Sequence, residues 1–115
     1  MRKILVVPVL LSVAGFCAPG VALGESGASE PLVLTIRDHK FEPAELHIPA
    51  DRAAVLVVKN LDSTPEEFES KPLRIEKIVP PNGEATFNIR PLKAGRYKFA
   101  GEFHEDTAKG EIVAE

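Results

Sequence analysis

The groups in this 115-residue chain best able to do chemistry fall in two short acidic stretches. One is PEEFES, with Glu66, Glu67 and Glu69; the other is GEFHED, with Glu102, His104 and Glu105. Carboxylates beside one imidazole make an oxygen-rich ligand set that suits harder or borderline ions: ferrous or ferric iron, manganese, zinc or cupric copper. A turn that only reversed the chain would need about two to five residues and no such charge. The stretch Gly101–Gly110 between RYKFA and EIVA therefore reads as a site or the remains of one. Nucleophilic or phosphoryl-transfer chemistry has nothing to stand on: the chain has no glycine-rich phosphate loop, no serine elbow, and one cysteine, Cys17.

The elements that must position these groups are strands. From Leu32 onward the apolar period is two: Leu32, Leu34 and Ile36 alternate with Val33, Thr35 and Arg37, and Ala53–Asn60 is rich in β-branched residues. AELHI, LRIEKI, EATFNI, RYKFA and EIVA are shorter strand candidates, separated by turn signals at Pro43, Pro49, Pro80-Pro81-Asn82-Gly83 and Pro91–Gly95. About seven short strands with turns roughly every ten residues predict an all-β, antiparallel Greek-key β-sandwich. Leu61–Lys71 and Gly101–Gly110 are its long loops, and loops on a rigid sandwich are where function sits.

Residues 1–24 carry Arg2 and Lys3, then the apolar run ILVVPVLLSVAGF, then small residues ending at Gly24. That order predicts a secretory signal peptide, a polar lead-in over 25–31, one domain over 32–115, and a periplasmic location with no membrane insertion after cleavage. The apolar run is shorter than the roughly 20 residues a membrane span needs. Phe16 stands before Cys17 where a lipoprotein signal requires a small residue. Beyond position 24 the chain then has no cysteine, so it has neither a disulfide nor a thiolate to offer a metal. All 17 acids and 12 of the 14 basic residues follow position 24, a balance that disfavours nucleic acid or anionic lipid as partners and favours cations or a basic protein patch.

Three separated segments are similar, in order, to cupredoxin domains. LTIRDHKFEPAELHIPA resembles their first strands, VLVVKNLDSTPEEF the strand and loop that bring the first histidine ligand, and GRYKFAGEFHEDTAKGEIVAE the closing hairpin, where the family writes Gly-x-Tyr-x-Phe-x-Cys-x-x-His, then methionine and Lys-Gly. The resemblance spans nearly all of 31–115 and implies a cupredoxin-like sandwich. As a type 1 copper signal it fails: the cysteine position is Gly101, the first histidine position falls on Glu66 or Glu67, the methionine position lies near Thr107, and His104 alone stands at a ligand position. Without a thiolate the donor set for blue copper is missing.

The resemblance also implies that the two acidic loops meet at one end of the sandwich. If Phe68 and Phe103 point to the core, then Glu67, Glu69, Glu102 and His104 point outward together; if the family position holds, Glu66 is the ligand. The expected site is therefore drawn from His104, Glu102, Glu67, Glu69, Glu66 and Glu105, binding a transition metal ion, iron first and copper second. Similarity to cupredoxin-like domains of the EfeO type implies a role in ferrous iron uptake or oxidation beside a periplasmic iron-binding protein or a membrane iron permease, with ferroxidase-like turnover open. The rival reading is a module without metal that docks a basic partner through its acidic end. His39 and His47, in the opening hairpin, read as surface or packing residues.

Overall fold

In this computed structural model the described residues are Gly15 and 30–115. The expected signal peptide, Cys17 and most of the lead-in lie outside them. Nine strands follow in order: β1 Leu32–Arg37, β2 Lys40–Glu42, β3 Glu45–Ile48, β4 Ala54–Asn60, β5 Glu66–Ser70, β6 Ile75–Val79, β7 Glu84–Ile89, β8 Gly95–Gly101 and β9 Lys109–Ala114. They form two sheets, ordered β2-β1-β4-β7 and β3-β9-β8-β5-β6. The expected all-β sandwich is present, but its sheets are mixed. β1 runs parallel to β4, and β3 runs parallel to β9. Among the described residues no helix is long and apolar enough to cross a membrane.

Two strands are additions to the sequence reading. β2 is a three-residue partner of β1, joined to it by the two residues Asp38 and His39. Both have positive φ, 51° and 57°, as a tight hairpin turn of the I′ kind requires. β5 corrects the reading of 61–71 as one loop: EEFES is a strand between β8 and β6. Its side chains alternate, with Glu66, Phe68 and Ser70 buried and Glu67 and Glu69 only partly so. Three glutamates in five residues hide that strand from composition, because the buried face of β5 carries one apolar side chain, Phe68.

The core lies between the sheets. Leu34, Ile36, Leu56 and Val58 from one sheet meet Phe68, Phe99 and Ile112 from the other, each at most 3% exposed. Phe68 is its centre, with ring centroids 5.9 Å from Phe41, 5.1 Å from Phe87 and 5.4 Å from Phe99. Such contacts add directional preference to area burial. They also fix the face that β5 presents: Phe68 turned inward carries Glu66 inward with it.

Candidate metal centre

Glu66 opens β5 at the end of the sandwich and is 1% exposed. A carboxylate that deep is tolerable only if its oxygens are paired. Oε1 accepts the backbone N–H groups of Phe103 (2.9 Å) and Glu67 (3.1 Å), and Oε2 accepts from His104 Nδ1 (2.5 Å). Two of these three donors come from the 3-10 helix Glu102–His104 that follows β8. The loop is closed behind them: Gly101 N–H donates to Ala108 O at 2.8 Å, and Ala108 N–H to His104 O at 2.8 Å.

Gly101 is what admits the carboxyl group. A Cβ there would stand 2.5 Å from the Glu66 carboxyl carbon and 2.8 Å from Ala108 Cβ, closer than atoms can approach. The carboxyl of Glu66 and a side chain at position 101 compete for one volume. Type 1 copper, which the resemblance would imply, therefore does not fit these residues: the donor set holds no thiolate, and the place for one is filled.

The third member comes from a residue the sequence reading put aside. His39, at the β1–β2 turn, stacks on His104 with ring centroids 3.5 Å apart and planes 23° from parallel. One ligand atom each from His39, Glu66 and His104 lies within 4.8 Å of the others. Two imidazoles and a carboxylate at that spacing can hold one borderline divalent ion and leave positions open to solvent. His39 is not marked in the sequence because it stands 65 positions before His104 and reaches this end through the pairing of β1 with β4 and the hold of Asp62 on its turn. The Asp-His pair at a two-residue turn was the available signal.

Asp62 ties the turn down. Its Oδ1 accepts the Asp38 N–H at 2.8 Å and its Oδ2 the His39 N–H at 3.0 Å. Burial pushes the Asp62 carboxyl up, but those two N–H groups and the nearby His39 and His104 outweigh it and leave it below the usual range. Asn60 holds Asp62 in turn, accepting its N–H at 3.0 Å while donating to Thr64 O at 2.8 Å.

The other expected ligands go elsewhere. Phe103 does not turn inward; it is 47% exposed, because the chain leaves the strand after Gly101 and the period of two ends there. Glu67 and Glu102 thus do not join His104 but meet Glu76 of β6, with one ligand atom each within 4.8 Å. The Glu67 carboxyl is pushed up to about 7, chiefly by its hydrogen bond with Glu76, then by desolvation and by Glu102. Glu69 and Glu105 line a depression on the outer face of the second sheet in company with Lys71, Lys98 and Lys109. The site expected from six residues is two: an inner one that keeps Glu66 and His104, and an outer one of carboxylates alone.

The profile of the family described as "Cupredoxin-like domain" matches residues 5–114. An uncharacterized protein of Rickettsia prowazekii (strain Madrid E) is 45% identical over 80 residues, covering 70% of this chain and 64% of its own, so the chain spans less than two thirds of that relative. Among solved structures, an oxidized methionine-to-lysine mutant of amicyanin is similar over 76% of this chain and 85% of its own, with TM-score 0.62 and 18% identity. Amicyanin of Paracoccus versutus is similar over 76% and 83%, with TM-score 0.59 and 17% identity. At that identity the amicyanins speak for the fold. The family match covers nearly the whole chain, and the chain belongs to the cupredoxin-like domain family.

Proposed function

We propose that this protein binds one transition metal ion between His39, Glu66 and His104, as a handling protein for iron or copper outside the inner membrane. The observation that carries the reading is the convergence of two imidazoles and a buried carboxylate with ligand atoms within 4.8 Å. A two-histidine, one-carboxylate set with open positions is the donor pattern of non-haem ferrous sites, and the same set takes Cu(II) and Zn(II) more tightly in the usual order of affinities. Lacking sulfur, it favours Cu(II) over Cu(I), which suits capture and transfer better than fast electron exchange. The carboxylate likewise favours ferric over ferrous iron, so ferroxidase-like turnover is a natural extension. A role in iron uptake, beside an iron-binding protein or a permease, rests on the family resemblance and on this donor set.

The test is calorimetric titration of the purified protein with Fe(II) under anaerobic conditions, and with Cu(II), Zn(II) and Mn(II). Micromolar binding that Glu66→Gln and His104→Ala abolish, that His39→Ala weakens to a still measurable level, and that Glu102→Gln leaves in place, is the expected result. No heat from any ion overturns the reading. It would leave the rival one, in which exposed Phe103, flanked by Glu102, Glu105 and Asp106, meets a basic partner. Admitting oxygen to the iron sample and following loss of Fe(II) then decides whether the protein turns over.

A further inference from the structure

We propose that Asp62 is a positioning residue for the metal centre, fixing His39 so that its Nδ1 faces the Asp62 carboxylate and its Nε2 is the ligand atom. The inference rests on the metal reading above and adds a residue to it that touches no metal. His39 Nδ1 is a buried side-chain nitrogen without a hydrogen-bond partner, and it lies 3.6 Å from Asp62 Oδ2. A buried ring nitrogen facing a carboxylate just beyond hydrogen-bond distance is an arrangement one short adjustment completes. Metal-ligating histidines almost always donate their other ring N–H to a carboxylate, carbonyl or water, which sets the tautomer and the ring orientation.

The backbone reinforces the assignment. Asp38 and His39 sit at φ 51° and 57°, a region that L-residues occupy at a cost. The Asp62 carboxylate accepts both of their N–H groups and so holds the turn that aims the ring. Asp62 is fixed from behind by Asn60, whose side chain is anchored to Thr64 O and, at 3.3 Å, to Val79 O. A chain of hydrogen bonds thus runs from β6 through β4 and Asp62 to the backbone of the turn that carries the His39 imidazole, whereas the His104 ring is held by Glu66 itself.

The test is a double-mutant cycle on Zn(II) affinity, read by calorimetry on the full chain. Asp62→Asn keeps the shape of the side chain and one oxygen for the turn, but cannot be a carboxylate to His39. It should weaken Zn(II) by about 10- to 100-fold in the wild-type background and by less than about threefold in the His39→Ala background. A loss of equal size in both backgrounds, or none in the wild type, overturns the role of Asp62 and leaves the metal reading standing. Wild-type protein that binds no Zn(II), or binds it just as tightly after His39→Ala, overturns the metal reading and this inference together. Long-range ¹⁵N–¹H NMR of Zn(II)-loaded wild type needs no variant: a proton on His39 Nδ1 is expected, and metal at Nδ1 would overturn the proposal.

Discussion

Glu66 and Glu67 are neighbours on one strand, yet they live in opposite chemistries. Glu66 points between the sheets, 1% exposed, and meets only hydrogen-bond donors. Glu67 points outward and meets Glu76 and Glu102, so its carboxyl is driven up to about 7. The inner carboxylate is held by a structure built around its charge; the outer one is crowded by its own kind. Burial alone does not make a carboxylate costly, and exposure alone does not make it comfortable. What counts is which groups the fold aims at it.

The largest break in that contrast is Glu66→Ala. It removes the acceptor from the Phe103 N–H and the His104 ring and opens a void beside Gly101, and should destabilise the fold by about 3 kcal/mol, read as a shift of the urea midpoint. Glu67→Ala should leave that midpoint unchanged or raise it at neutral pH. If both substitutions cost the same, the two faces are not distinct. Next comes Gly101→Ala, whose methyl would need the volume of the Glu66 carboxyl. A cost of about 1–3 kcal/mol, with loss of the inner site, is expected, and the double variant Glu66→Ala/Gly101→Ala should recover part of it. Purely additive losses would show that the two positions do not compete.

A smaller effect separates the sites by pH. The folded value for Glu67 lies above its unfolded one, so its contribution is fully present below about 4.5 and is lost as pH rises through about 7. Thermal midpoints of the metal-free wild type should therefore fall, from this group, between those values, and Glu67→Gln should flatten the fall. An unchanged profile in the variant would remove Glu67 as its source. The smallest effect lies at a cluster of mixed sign. His47 sits between Glu115 and Glu45, at 2.7 and 2.9 Å, and hydrogen bonding to Glu115 first, with Glu45 adding, raises its pKa. Its contribution is fully present below about 6.5 and lost as pH rises through the higher folded value. His47→Gln should thus lower the midpoint slightly at pH 5.5 and not at pH 9; equal loss at both would point to packing.

Much of the fold was legible because period two is a local property: Leu34 and Ile36, or Ala85, Phe87 and Ile89, declare their face without help from afar. β5 was not, since its inward positions are Glu66, Phe68 and Ser70, and polar residues at inward positions look like a loop until their partners are known. The parallel pairing of β1 with β4 was hidden for a related reason, as no short-range turn specifies it. Within the site, His104 and the alternative of Glu66 were visible in the order of residues. His39 was not, because it reaches the site through a turn held by a side chain 23 positions away.

The sequence by itself determined the class of the fold, the absence of a thiolate after position 17, and the presence of carboxylates with one imidazole near the closing hairpin; these depend on residue type and period alone. Tertiary structure decided which carboxylates meet which imidazoles. A one-residue step along β5 reverses the face, and a face acquires its chemistry only when sheets, turn and 3-10 helix bring donors to it. That is why Glu66, His39 and His104 converge while Glu67 and Glu102, identical in kind to Glu66, face one another instead.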